Sequence, residues 1–227
     1  MFSSKTEVGQ SKGDRNAVVD GTGMSWQILV DHGVLRSFPP GVALLNQGEP
    51  LGEVDLIKKG AVKLVYINAN GHSIIIGLYS QDQLLGVSEA VSEKPCQLSA
   101  ITLTHTTICS IPLATFHRLL ACNSQLEAQV LRQLSVNLLN LELWTALRLT
   151  QESGEFLQQF LLQLAPSSYL QNDPTGIRII THLKHWEIAE FLGTTPAYFS
   201  RLLARLEVRG IVKRKNGRIY LLPTKSK

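Results

Sequence analysis

Cysteines, aromatic residues and long apolar runs are scarce in this chain of 227 residues. Its three cysteines, Cys96, Cys109 and Cys122, are widely spaced and form no CxxC or CxxH motif, which disfavours a disulfide framework and a zinc site. No apolar run approaches the roughly 20 residues that a membrane-spanning helix needs. The first residues also lack the pattern of a secretory signal. These absences predict a cytoplasmic protein without a membrane partner.

Motifs of enzymes and of metal centres are missing as well. The sequence contains no Walker A loop, no GxSxG and no HExxH. His72 and His105 fall in strand-like regions, as the metal ligands of barrel enzymes do, but neither belongs to an HxH or HxxxH pair. The sequence therefore predicts a protein that is not an enzyme and that holds no metal.

Charge is distributed unevenly along the chain. Residues 182–227 contain ten Lys or Arg and three Glu, a net charge of +7, whereas the other 181 residues contain twelve Lys or Arg and fifteen Asp or Glu, a net charge of −3. A basic end on a mildly acidic body is typical of a nucleic-acid-binding module, although a solubilising basic tail has the same net charge. The motifs within the basic segment have to decide between these two interpretations.

The first half of the chain contains a leader and a strand-rich domain. Residues 1–24 are rich in Ser, Gly, Lys and Asp and predict a flexible leader. Residues 25–122 contain short β-type runs separated by glycine-bearing turns, with Asn70-Gly71 as a hairpin signal. Many short strands without long helices between them predict an antiparallel barrel or jelly roll. The runs are Val42–Leu45, Val54–Lys58, Ala61–Ile67, Ser73–Tyr79 and Ser99–Ile111.

A long helix is predicted over residues 123–150, where Ser124 can cap a run without Gly or Pro. Its apolar residues form two stripes, of which one can pack on the strand domain and the other on a second copy of the chain. We assign the dimer interface to the stripe that contains Asn137, which either fixes the register of the pair or points to water. This stripe is Val130, Leu134, Asn137, Leu141 and Trp144. The other stripe is Leu131, Leu138, Leu139, Leu143 and Leu147.

The most specific pattern lies near the end of the chain. His185–Leu192 predict a short helix that Gly193 ends, because glycine tolerates the backbone of a sharp turn. Thr194 or Thr195 then caps a second helix, and Pro196 occupies its first turn, where a missing N–H costs nothing. Apolar residues at i, i+3, i+4 and i+7 bury one side of this helix and leave small and basic residues free. This arrangement predicts a helix-turn-helix.

A basic hairpin follows the second helix. Ile211–Arg214 and Arg218–Leu222 predict two strands around Asn216-Gly217. Cations in such a wing can neutralise DNA phosphates while the helix enters the major groove. Arginine can donate two hydrogen bonds to guanine, so we expect Arg201 to contact a base, with a phosphate contact as the alternative. The predicted DNA-binding residues of domain 151–227 are Thr194, Thr195, Ala197, Tyr198, Ser200, Arg201, Arg205, Lys213, Arg214, Lys215 and Arg218.

Several stretches resemble the catabolite-activator/FNR (CRP/FNR) family of bacterial transcription regulators. They are GVALLNQGEP, KKGAVKLVYINANGHSIIIGLY, the long helix after Asn123, and EIAEFLGTTPAYFSRLLARLEVRGIVKRKNGRIYLL. The resemblance implies an α+β chain with an N-terminal β-roll that is like a cyclic-nucleotide-binding domain, a central dimerisation helix and a C-terminal winged helix-turn-helix. It further implies a homodimer that binds palindromic promoter sites in double-stranded DNA and contacts RNA polymerase.

The sequence departs from the members that bind cyclic AMP. Those members carry a Gly-Glu pair in the phosphate cassette and an arginine before Ser-Ala. Here we place Gln83 at the position of the glutamate, and Leu98 stands where the arginine precedes Ser99-Ala100. A cyclic phosphate beside Leu98 would lose its charge-assisted partner. We therefore expect a small-molecule effector other than cyclic AMP. The predicted cavity residues are Leu84, Leu85, Gly86, Gln97, Leu98 and Ser99.

The sequence gives little support for the other groups that members of this family bind. No cysteine precedes Cys96, so an iron–sulfur cluster is disfavoured, and an isolated His32 or His72 is weak evidence for haem. The sequence therefore predicts no particular cofactor. The alternative function is a small-molecule-binding protein whose winged helix contacts another protein. DNA binding that weakens steeply with salt separates a regulator from this alternative.

Overall fold

The computed structural model describes residues 26–149, 154, 157–158, 161, 171–173, 176–179, 183–215 and 218–222. The leader predicted over 1–24 and the turn predicted at Asn216-Gly217 lie outside these residues. Strands and helices follow the predicted order, a β-roll, a long helix and a helix-turn-helix with a small sheet, so the predicted fold class is confirmed. None of the described helices is long and apolar enough to cross a membrane.

The elements are numbered in chain order. The strands are β1 (Val34–Phe38), β2 (Ala43–Leu45), β3 (Glu53–Lys59), β4 (Ala61–Ile67), β5 (Ser73–Ser80), β6 (Leu84–Leu85), β7 (Ser99–Thr102), β8 (Thr106–Pro112), β9 (Gln171–Asp173), β10 (Gly176–Ile179), β11 (Val212–Lys215) and β12 (Arg218–Leu221). The helices are α1 (Gln27–Val30), α2 (Val87–Ser92), α3 (Leu113–Cys122), α4 (Ser124–Leu149), α5 (His185–Phe191) and α6 (Pro196–Val208).

The β-roll consists of two four-stranded antiparallel sheets, ordered β1-β8-β3-β6 and β2-β7-β4-β5. The run predicted over Ser99–Ile111 is therefore two strands in different sheets, β7 and β8. Threonine side chains complete the corner between them: Thr104 Oγ1 accepts a bond from the Ala61 N–H, and Thr106 Oγ1 donates to the Ala61 carbonyl. Threonine also favours strands, so composition alone did not reveal this break.

Side chains of the first sheet alternate between two apolar clusters. Ile57 of β3, Ile108 of β8 and Leu85 of β6 face the interior of the roll, where they meet Val62 and Ala100 of the second sheet. Their chain neighbours face the opposite way, toward the helices that cover the roll. These neighbours, Leu56, Cys109 and Leu84, pack with Trp26, Phe116, Leu126 and Val130.

The β4–β5 hairpin is confirmed, but its turn is longer than the Asn70-Gly71 signal suggests. Ile67 pairs with Ser73, which leaves five residues between the strands. Asn68 Oδ1 accepts hydrogen bonds from the N–H groups of Asn70 and His72. One asparagine side chain therefore organises the turn.

The long helix α4 begins with a different cap from the one predicted. Asn123 Oδ1 accepts a hydrogen bond from the Leu126 N–H at 2.8 Å, so Asn123 is the capping residue and Ser124 is the first helical residue. Further along, the buried Gln133 binds the cassette strand β6: it donates to the Leu84 carbonyl and accepts from the Leu84 N–H, both at 3.1 Å.

We expect Gly60→Ala to be strongly destabilising. Gly60 has a φ of +103°, and a Cβ there would lie 2.6 Å from Thr106 Oγ1 and 2.7 Å from the His105 carbonyl. Strain and the clash together should lower the free energy of unfolding by about 2–4 kcal/mol. Gly71→Ala is the control, because Gly71 also has a positive φ, +77°, but no described atom lies within 4 Å of its Cβ. Urea denaturation should show a loss of about 1 kcal/mol for the control; equal losses would contradict the clash.

Candidate DNA-binding surface

The helix-turn-helix consists of α5, α6 and the turn between them. The turn passes through Gly193, whose φ of +66° suits glycine, and the Thr194 N–H donates to the Ala189 carbonyl at 2.9 Å. Thr195 is the cap of α6, because its side-chain oxygen accepts from the Tyr198 N–H at 3.2 Å. Thr194 and Thr195, both predicted as DNA contacts, thus also build the turn.

One side of α6 is buried and thereby determines which side is free. Phe199, Leu202, Leu203 and Leu206 lie in one core with residues of α5 and of the hairpin that follows. The contributors from those elements are Ile188, Ala189, Val212, Ile219 and Leu221. This core holds the two helices and the hairpin in one fixed arrangement.

The free side of α6 presents Ala197, Ser200, Arg201 and Arg205, all of which are exposed. The guanidinium carbon of Arg201 lies 5.6 Å from the centre of the Tyr198 ring, where the π-electrons of the ring attract a cation. Tyr198 is itself half-buried against the core. The ring therefore restricts the positions that the Arg201 side chain can take.

Strands β11 and β12 form the hairpin that we predicted as a wing. Lys213, Arg214 and Lys215 of β11 are exposed, and Lys215 pairs in register with Arg218. Arg218 thus lies on the wing, as expected, although its side chain falls outside the described part of the structure. The wing carries its cations directly after the helix whose free side presents Arg201.

Arg214 differs from its neighbours because Glu207 of α6 binds it. Its N–H donates to Glu207 Oε1 at 2.8 Å, and its guanidinium donates to Oε2 at 2.9 Å. The backbone N–H and then the guanidinium of Arg214 hold the pKa of Glu207 below its usual value, so this carboxylate stays ionised. Arg214 is therefore partly neutralised, whereas Lys213 and Lys215 are not ion-paired among the described residues. The sequence analysis did not identify Glu207. The signal that could have identified it is an acidic residue seven positions before an arginine of the wing.

The predicted cavity residues do not share one side of the roll. Leu84 packs among the helices, whereas Leu85 faces the interior. Ser99 is buried, and its Oγ accepts from the Gln47 N–H at 3.0 Å. Leu98 is half-buried, and Gln97 is exposed and donates to the Pro95 carbonyl.

The cassette glycine, Gly86, corrects our placement of the missing glutamate. Gly86 has a φ of +77° and precedes α2, and the residue after it is the buried Val87. The second position of a Gly-Glu pair is therefore held by Val87, not by Gln83. The Gln83 side chain instead accepts from the Ser80 N–H at 2.7 Å and closes the turn before β6.

The stripe of α4 that we assigned to a dimer is largely turned inward. Val130 and Trp144 are only 4% and 9% exposed and pack inside their own chain, which corrects their assignment to the interface. Asn137 Nδ2 donates to the Tyr79 hydroxyl at 3.0 Å, and Leu134 is half-buried. Both stripes are apolar, so periodicity alone could not tell which one the roll covers. The exposed apolar residues of α4 are Leu131, Leu138, Leu139, Leu141 and Leu143.

The outer face of the second roll sheet contacts α5. Lys63 Nζ of β4 lies 2.6 Å from Glu187 Oε1, and both side chains are mostly buried. Ser73 Oγ donates to Glu190 at 3.2 Å. At the far end of α4, the Trp144 ring packs edge-on against Phe191 with 5.3 Å between centroids. These contacts join the roll, the long helix and the helix-turn-helix.

Two known domain families match this chain. The "Cyclic nucleotide-binding domain" matches residues 35–123, and the "Crp-like helix-turn-helix domain" matches residues 157–225. They cover the roll and the DNA-binding unit in the order in which the structure has them. The chain belongs to the CRP/FNR family of transcription regulators. Regulators of this family bind DNA and dimerise.

Curated relatives of this CRP/FNR regulator agree with that assignment. The "Global nitrogen regulator" of Synechococcus elongatus is 28% identical over 174 residues, which are 76% of this chain and 78% of the relative. The "Transcriptional activator protein anr" of Pseudomonas aeruginosa is 24% identical over 187 residues, 82% of this chain and 76% of the relative.

A solved structure shows the same fold. The c-di-GMP responsive global regulator CLP of Xanthomonas campestris superposes with a TM-score of 0.73 at 17% identity, covering 87% of this chain and 98% of that one.

We expect Arg201 and Lys213 to contribute differently to DNA binding. Arg201→Ala should cost about 1–3 kcal/mol on a duplex selected from a random pool and relax the preference at one base pair per half-site. Lys213→Ala should weaken selected and random duplexes alike and lower the salt slope by about one phosphate. Salt titrations of both duplexes measure these effects, with each variant as the control for the other. A wing variant that changes base preference would reverse the two roles.

Proposed function

We propose that this CRP/FNR regulator is a homodimer that inserts two copies of α6 into successive major grooves of a palindromic site. The observation that carries the proposal is the free side of α6, which presents Arg201 and Arg205 beside the exposed cations of the wing. Arginine on a helix can read guanine, and lysines at its flank can neutralise phosphates. The alternative, a winged helix for protein contacts, does not account for this clustering of cations.

The dimer seam that we propose is a leucine row on α4. Leu131, Leu134, Leu138 and Leu141 follow one another at spacings of three, four and three residues, as the a and d positions of a coiled coil do. Three of the four are exposed in the single chain, and Leu134 is half-buried. Leu134 and Leu141 belong to the interface that we predicted from the sequence; Leu131 and Leu138 replace its inward-facing members.

The roll is proposed as a sensor whose effector is not cyclic AMP. The positions that would carry the arginine and the glutamate of a cyclic-AMP site are Leu98 and Val87, and neither can bind a phosphate or a ribose. We further propose that the regulator acts in the cytoplasm and contacts RNA polymerase. The curated relatives named as transcriptional activators support this contact.

The contact between the roll and α5 is the proposed route by which the sensor acts on DNA binding. Glu187 uses both carboxylate oxygens: Oε1 binds Lys63 of the roll, and Oε2 accepts from the Lys184 N–H at the start of α5. A shift of β4 is therefore transmitted to the first helix of the DNA-binding unit. A buried ion pair of this kind depends on its geometry, because each charge has left water.

The leucine row predicts that neighbouring leucines of α4 respond differently to charge. Leu138 and Leu139 are 56% and 55% exposed, but they lie about 100° apart around the helix, and only Leu138 belongs to the row. Leu138→Glu should yield monomers that bind a palindrome poorly, because two half-sites must be held together. Leu139→Glu is the matched control and should remain a dimer. Light scattering and DNA titration measure both; dissociation by Leu139→Glu alone would contradict this seam.

We expect that breaking the Lys63–Glu187 pair removes the fixed orientation that the DNA-binding unit has before it meets DNA. Lys63→Met keeps most of the side-chain stem but removes the charge, so the two DNA-binding units should lose their fixed orientation. Affinity for a palindrome should fall about tenfold, or about 1.4 kcal/mol, with affinity for a single half-site unchanged. Lys59→Ala, at an exposed lysine of the roll, is the control. An equal loss on both duplexes would mean that Lys63 does not act through orientation.

A further inference from the structure

The middle of the free side of α6 is a nearly apolar row. Ala197, Arg201, Ala204 and Val208 follow one another at spacings of four, three and four residues, which places them within about 60° of one another around the helix. Ala197, Arg201 and Val208 are exposed, and Ala204 is half-buried. Arg201 is therefore the one member of this row whose side chain can form hydrogen bonds.

The first turn of α6 surrounds Ala197 with polar groups that are already engaged. Thr195 uses its side-chain oxygen to accept from the Tyr198 N–H at 3.2 Å, and Pro196 has no N–H to donate. Tyr198 lies about 100° from Ala197 around the helix and is half-buried. The centre of its ring lies 5.6 Å from the guanidinium carbon of Arg201. The group that this turn presents at Ala197 is therefore a methyl group.

The two ends of the row differ in their distance from the start of the helix. A recognition helix contacts base edges with its N-terminal residues, and Ala197 and Arg201 are the second and sixth residues of α6. They are about 6 Å apart along the helix axis, which corresponds to about two base-pair steps of roughly 3.4 Å. Ala204 and Val208 belong to the second half of the helix, so we expect them to lie away from the bases.

We propose that Ala197 reads a thymine in each half-site through the methyl group of that base, about two base pairs from the guanine that Arg201 contacts. Thymine presents a methyl group in the major groove, and alanine is one of the side chains that contact it. The other bases would present polar atoms there without a methyl group, and Ala197 cannot bind such atoms. The inference rests on the proposed DNA-binding function of α6 and names a base that this function leaves open.

Replacing thymine by uracil tests this contact, because it removes the methyl group and keeps base pairing and the O4 acceptor. A hydrogen bond from Ser200 to O4 would therefore not respond to it. In a duplex that the full chain selects from a random pool, each thymine is replaced in turn by uracil, and each guanine by 7-deazaguanine, which lacks N7. We expect one thymine position at which uracil weakens binding about fourfold per half-site, as the loss of one methyl contact should. One guanine position, about two pairs away, should be sensitive to 7-deazaguanine.

Two variants assign each effect to its residue. Ala197→Gly should remove the loss caused by uracil and retain the loss caused by 7-deazaguanine, whereas Arg201→Ala should do the reverse. Ala204→Gly, the same change on the same row, is the matched control and should retain both losses. Glycine lowers the stability of a helix, but each loss compares two duplexes bound by one variant, so a general weakening cancels.

The possible results separate this inference from the function on which it rests. A uracil-sensitive thymine whose effect is lost in Ala197→Gly supports the inference. If no thymine is sensitive to uracil, or if the sensitivity persists in Ala197→Gly, the inference is overturned. The proposed DNA-binding function is then still supported by a loss with 7-deazaguanine that depends on Arg201. If the full chain selects no duplex from the pool, both are overturned.

Discussion

The side-chain amide of Gln133 supplies the hydrogen-bonding neighbour that the edge strand β6 lacks within its sheet. It donates to and accepts from the backbone of Leu84, as a paired strand would, and it does so from a helix. The two bonds hold α4 at one rotation about its axis. Because of that rotation, Val130 faces the roll, Trp144 reaches the DNA-binding unit, and the row that contains Leu138 faces outward.

The DNA-binding surface shows how neighbouring cations come to differ. Lys213 and Arg214 are adjacent in the wing and both exposed, yet Glu207 binds Arg214 through backbone and side chain. Arg214 therefore connects the wing to α6, whereas Lys213 is exposed and forms no ion pair with the described residues. Arg201 is restrained in turn by the ring of Tyr198. A count of positive charges alone would not reveal that these three cations have different surroundings.

Much of the fold was predictable because each element depends on local chemistry. The apolar spacing of α6, the capping Thr195 and the turn at Gly193 are short-range signals, and the structure has all three. The break between β7 and β8 and the cap at Asn123 were not predicted, since they depend on side chains that bond to backbone groups and compete with equally suitable neighbours. The same contrast holds at the candidate site. Arg201 was predicted from the spacing along α6, whereas Glu207, which binds the backbone and side chain of Arg214, was missed.

The sequence by itself determined the order of the domains, the helix-turn-helix and the side of α6 that faces solvent, because spacing along one element settles which residues share its face. Only the tertiary structure decided which apolar stripe of α4 the roll covers, and that Lys63 meets Glu187. Each of these contacts is between residues that are distant in sequence. It was not predictable from the sequence because it depends on how whole helices and strands pack.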